Sequence, residues 1–253
     1  MVSGGHSPVQ QQTTAKVVVR LFLCSAALVL LVMFSTHAAA APEDWLFGVN
    51  FTTDRINRGW DESDGRPSLG ATVDWYPGSG FFAEAAAWSA KPFSIEPLGA
   101  EFKDTVGYAW PLSDDWSLST MLSHYQFLHE FNASRLEYDE LALTGGWRNC
   151  LFASVTASPN TAYRSPKTRA YSYNLSGHLP LTHGFSAIAA VGYYDLSAGL
   201  GAGYVYGNVG LGYQYRNVDF QISYFDTRAP SSLIQLVGAE LVHRWVAQLS
   251  VHF

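Results

Sequence analysis

The chain ends in Leu241-Val242-His243-Arg244-Trp245-Val246-Ala247-Gln248-Leu249-Ser250-Val251-His252-Phe253. Leu241, His243, Trp245, Ala247, Leu249, Val251 and Phe253 fall on one face. Val242, Arg244, Val246, Gln248, Ser250 and His252 fall on the other. A period of two is the mark of a β-strand with unlike faces. The segment is also long. Strands of soluble proteins have a mode of about 5 to 6 residues, whereas a tilted strand that crosses a bilayer needs about 9 to 11.

The same pattern recurs upstream. Val218, Phe220, Ile222 and Tyr224 alternate with Asp219, Gln221 and Ser223, and Leu69, Ala71, Val73 and Trp75 with Ser68, Gly70, Thr72 and Asp74. Alternation predicts about twelve strands, at 45–58, 67–76, 79–90, 100–110, 115–125, 137–147, 149–157, 169–179, 184–195, 203–214, 217–226 and 241–253. Their connections alternate in length. Tyr76–Ser79, Pro111–Asp114, Arg148–Asn149, Pro180–His183 and Tyr215–Arg216 are short. Gly59–Arg66, Lys91–Gly99, Gln126–Leu136, Ala157–Thr168, Leu196–Ala202 and Thr227–Glu240 are long and polar. That is the signature of an antiparallel, up-and-down transmembrane β-barrel with short periplasmic turns and longer outer loops. Trp45, Trp75, Phe81, Trp110, Trp116, Phe185, Tyr213 and Phe220 fall near the short turns. Trp60, Trp88, Tyr125, Tyr171 and Tyr194 fall near the long loops. Two aromatic girdles at the membrane interfaces are therefore expected.

Residues 1–40 read as an export signal and 41–253 as the barrel. Lys16 and Arg20 precede an apolar run from Leu21 to Phe34, and Ala38, Ala39 and Ala40 supply the small residues of a cleavage site. After cleavage only Cys150 remains, so neither a disulfide nor a cysteine metal framework can form within one chain. The net charge is -6 without a basic block, which argues against nucleic acid as a partner. Charged residues make up 14% of the chain, against about 25% in average globular proteins, and aromatic residues 15%. A secreted β-sandwich is the alternative to a barrel. A sandwich turns its polar face to bulk water and favours lysine and glutamate there, whereas these polar faces carry Gly, Ser, Thr and Gln, as a crowded barrel interior does. The terminal Phe253 is similar to the end signature of bacterial outer-membrane proteins, which their barrel-assembly machinery reads.

The stretch Thr53 to Leu69 carries Asp54, Arg58-Gly59 and Ser63-Asp64-Gly65-Arg66-Pro67, with Gly80-Phe81-Phe82 soon after. It resembles the first hairpin of the TorF-like porin family of proteobacteria, also called Gcw_chp, and Gly192-Tyr193-Tyr194-Asp195 fits the same pattern. Asn57 stands where that family usually has an aromatic residue, and Asp61-Glu62 replaces its usual Ser-Gln. The resemblance implies an outer-membrane barrel of porin type.

On this reading the working parts are the lining and the loops, because rings of charge and the bore decide what passes a pore. The candidates are Asp74, Glu84 and Arg244 facing inward, with Arg58 and Arg66 at the outer mouth. Asp61, Glu62 and Asp64 are possible exposed-loop partners for the two mouth arginines. Arg164, Lys167 and Arg169 form a basic outer patch, and His124 and His129 straddle another loop but lack the further ligands a metal needs. Ser176 and His178 share a face, yet there is no Gly-x-Ser-x-Gly elbow, so no enzyme activity and no cofactor is expected. The leading expectation is passive diffusion of small solutes across a Gram-negative outer membrane. The alternatives are a non-conducting barrel whose loops bind lipopolysaccharide or another surface, and an outer-membrane hydrolase. An apolar outer stripe suits lipid and a second copy of the chain equally, so a homo-oligomer stays open.

Overall fold

The computed structural model describes residues 44–91, 99–128, 137–161, 167–237 and 242–253. The expected signal, residues 1–40, lies outside them, as do His129, Arg164 and Leu241.

Among the described residues twelve strands close into one antiparallel barrel. They are β1 (Trp45–Thr52), β4 (Ser68–Trp75), β5 (Phe81–Ala90), β6 (Gly99–Pro111), β7 (Trp116–Leu128), β8 (Tyr138–Trp147), β9 (Leu151–Thr161), β10 (Thr168–Pro180), β11 (Phe185–Asp195), β12 (Tyr204–Tyr215), β13 (Val218–Arg228) and β14 (His243–His252). A small separate hairpin, β2 (Ile56–Asn57) and β3 (Trp60–Asp61), lies between β1 and β4. Each barrel strand pairs with its neighbours in the chain. Closure comes from β1, which pairs with β4 through Trp45↔Trp75 and with β14 through Asn50↔Ser250.

Closure follows from the faces. Along β12, Val205, Val209, Leu211 and Tyr213 point outward and are 46%, 60%, 53% and 38% exposed, while Tyr204 and Tyr206 point inward and are buried. An apolar outside and a polar inside invert the order of a soluble protein. Such a surface belongs in lipid, where every backbone donor and acceptor must be satisfied within the sheet, so no free edge can remain. At a tilt of about 40° and a rise of about 3.3 Å per residue, strands of ten residues span about 25 Å, the height of the apolar band of outer-membrane barrels.

The short turns are tight. Arg148 and Asn149 both have positive φ, 51° and 52°, and the Cys150 N–H donates to the Trp147 carbonyl at 3.0 Å. This is the primed geometry that suits the twist of a two-residue hairpin. The inner girdle stands where expected. Trp45 stacks on Trp75 at 6.1 Å, Trp75 meets Phe81 at 5.9 Å, and Phe185 meets Tyr213 at 4.8 Å.

Two expectations need correction. The first strand ends at Thr52, not at 58, because the Thr52 hydroxyl donates to the Asp54 carbonyl at 2.7 Å and turns the chain out of the ladder. Of the residues expected in the outer girdle only Tyr171 has outward parity, and the rest of the girdle is built from other residues. Trp60, Tyr125 and Tyr194 are 2%, 8% and 4% exposed; Trp60 belongs to the inserted hairpin, and Tyr125, Tyr194 and Trp88 have inward parity. Beside Tyr171, outward aromatics toward that end include Phe51, Phe102, Tyr173, Tyr193, Tyr224 and Trp245. Over one part of the outer end, Tyr194, Leu196, Tyr204, Tyr206 and Leu233 form a buried apolar cluster beneath α1 (Ser197–Leu200) and α2 (Ser231–Val237).

Candidate functional site: a lumen crossed by the first loop

The first outer loop folds into the barrel. At its tip, Arg58 and Gly59 have φ of 49° and 76° and connect β2 to β3, again the primed turn that needs positive φ at both positions. Behind the tip, Asp61 accepts the Ser63 and Gly65 N–H groups at 2.9 and 2.8 Å, and the Ser63 hydroxyl donates to Asp54 at 2.8 Å. These bonds let the loop carry its own backbone into a space lined by other chain segments.

Three arginines then tie the loop to walls on different sides. Arg58 makes a two-pronged pair with Glu140 of β8, its Nη2 donating to Oε2 at 2.7 Å, and stands 5.2 Å from the Tyr194 ring of β11. Arg55 pairs with Glu101 of β6 and with Glu62 at 3.1 Å, and lies 5.2 Å from the Trp88 ring of β5. Trp88 in turn lies over Gly70, where a Cβ would fall 2.5 Å from its ring. Arg244 of β14 reaches back to Asp54 at 2.9 Å and Asp61 at 3.3 Å. On the remaining side the Thr227 hydroxyl of β13 donates to the Gly59 carbonyl at 2.9 Å. The loop therefore bridges the bore from β5 and β6 across to β13 and β14.

Polar space persists beside it. One cavity of about 410 Å³ is lined by Asp54, Arg55, Asp74, Glu84, Trp88 and Lys103 among others. A second, of about 270 Å³, is lined by Arg58, Ser154, Thr156, Ser172, Asn174 and Asn208 among others. Phe225 of β13 borders both.

The barrel resembles outer-membrane porins. It aligns with the KdgM porin at a TM-score of 0.53 and 11% identity, over 82% of this chain and 98% of that one. The NanC porin aligns at 0.53 and 12% identity, over 82% and 98%. The KdgM porin in complex with disordered oligogalacturonate aligns at 0.52 and 10% identity, over 83% and 98%. At these identities the likeness is one of fold. No protein-family profile and no curated protein sequence matches the chain.

The sequence candidates occupy distinct places. Asp74 and Glu84 face the larger cavity and sit opposite each other in register. Arg244 faces inward, committed to the two loop aspartates. Arg66 is exposed, with Asp64 3.9 Å away. Arg58 is not at the outer mouth. It is drawn inside because its partner is the buried Glu140 on the far wall and not a loop acid. His124 faces outward beside Asp139 at 2.7 Å. Arg55, Glu101, Lys103 and Glu140 were not singled out in the sequence. The last three have the same inward parity as Glu84, so alternation alone contained the signal.

Asp54 lies in the loop, outside the spanning strands, and its carboxyl is pushed up to about 6. Burial is the main cause and the neighbouring Asp61 adds to it, while the Ser63 hydroxyl and Arg244 pull the other way. A raised carboxyl binds its proton more tightly in the docked loop than in a released one. The resulting stabilisation is complete below the ordinary value of 3.8 and is lost as pH rises through about 6. Acidification across that window is expected to tighten docking and lower conductance, and Asp54→Asn to flatten the response. Bilayer recordings at stepped pH check this; a conductance that rises on acidification contradicts it.

Proposed function

We propose that this chain is an outer-membrane channel of a Gram-negative bacterium, passing small solutes by passive diffusion through a bore narrowed by its first loop. The observation that carries the reading is the polar lumen, with cavities of about 410 and 270 Å³ flanking a loop whose tip is tied to several walls by side chains. The fold shared with the KdgM and NanC porins supports it. So does the likeness of the loop motif to the TorF-like porins, whose Arg-Gly pair is here the tip of the inserted hairpin. Phe253, outward at the end of β14 and 70% exposed, suits recognition by barrel-assembly machinery. The wall-to-wall crossing favours one second reading, a barrel that does not conduct at all.

Gly59→Val separates them. A Cβ at Gly59 falls 2.3 Å from the Thr227 hydroxyl oxygen and 2.6 Å from the Tyr206 Cβ, and the positive φ disfavours a branched residue. The variant is expected to undock the loop tip. Wild-type protein refolded into planar bilayers should show small unitary steps and Gly59→Val larger ones. Silence from both establishes the non-conducting barrel.

A further inference from the structure

We infer that the passage selects small cations and that Asp74, with Glu84, sets the preference; this rests on the channel reading above. The positive charge that enters the lumen is mostly locked away. Arg55, Arg58 and Arg244 are consumed in ion pairs with Glu101, Glu140 and Asp54, and each pair is also a mechanical tie between loop and wall. Their guanidinium groups are thus held by carboxylates.

The remaining lumenal charge is different in kind. Asp74, Glu84 and Asp219 face inward against Lys103 and His252. Lys103 is bound to Glu84 at 3.0 Å, and His252 lies 3.3 Å from Asp219. The Asp74 carboxylate makes no hydrogen bond or ion pair with any described residue, and it lies on the wall of the larger cavity. The antiparallel register places it directly opposite Glu84 on β5, so two carboxylates stand side by side while the one ammonium nearby, that of Lys103 on β6, is held by Glu84. A net negative charge on the wall of a narrow bore is felt by every passing ion. A charge within a Debye length of a passing ion, about 8 Å at physiological salt, is only partly screened, and low-dielectric walls focus the field. Cations are concentrated there and anions excluded.

The test uses the refolded chain in planar bilayers under a KCl gradient, with zero-current potential as the readout. Heat-modifiable gel mobility shows beforehand that each variant is folded. Wild type is expected to favour K⁺ over Cl⁻ severalfold. Asp74→Asn with Glu84→Gln should bring the ratio toward parity, and Lys103→Gln should raise it. Anion preference or no preference in wild type overturns the inference while leaving the channel intact. Cation preference that Asp74→Asn and Glu84→Gln do not move overturns the assignment to these residues. No current from wild type or from Gly59→Val removes the channel, and the inference with it.

Discussion

Arg58→Ala is expected to release the loop, raising unitary conductance severalfold and lowering barrel stability by about 3–5 kcal/mol. Arg58 and Glu140 are both buried, at 17% and 5% side-chain exposure, and bonded two-to-two. Removing the cation alone leaves Glu140 as an uncompensated charge among Tyr125, whose hydroxyl is 3.3 Å away, and the Tyr138 ring stacked on it. The cost is mostly that stranded charge and not the worth of the pair. Hence Arg58→Ala with Glu140→Gln should regain much of the stability yet keep the raised conductance, because the tie across the bore is still cut. Denaturant unfolding of the barrel in lipid, alongside single-channel recording, reads both quantities. If Arg58→Ala matched wild type in both, the loop would not be held as described.

The barrel was legible because its signal is local. Parity within each strand and the length of each connection need no knowledge of what lies across the bore. From these alone come strand number, closure, the inner girdle and the inward placement of Asp74, Glu84 and Arg244. The loop was not legible for the converse reason. Arg55, Arg58 and Asp54 fall within the stretch that alternation assigns to the end of the first strand, and their partners lie far along the chain, Glu140 being 82 residues from Arg58 and Glu101 46 residues from Arg55. Nothing in a one-dimensional pattern says that such a loop turns inward. The misassigned outer aromatics show one place where the sequence did hold a hint. Trp88, Tyr125 and Tyr194 all have the parity of the lumenal face, so their rings had to meet something inside the barrel, and two of them meet arginines.

Leu143→Arg is expected to destabilise the folded barrel by about 2–4 kcal/mol, while Thr144→Arg, one residue along, costs close to nothing. Leu143 points outward from β8, is 50% exposed, and is paired in register with Thr120 and Val155. It lies four residues above Trp147, a distance of about 10 Å at the tilt assumed above, near the middle of the apolar band. A guanidinium there must sit in hydrocarbon or bend to reach an interface. Thr144 faces inward instead, in register with Ser119 and Ser154, where an arginine side chain meets hydroxyls and water. The two substitutions place the same side chain and charge at adjacent positions of one strand, so most of their difference reports the medium on each side of the sheet. Folding into lipid vesicles, followed by heat-modifiable mobility, measures it. Equal costs at the two positions would mean that the outer face does not look into a bilayer. The channel, its loop and its selectivity all require that it does, since an interior passage has meaning only in a wall that separates two solutions.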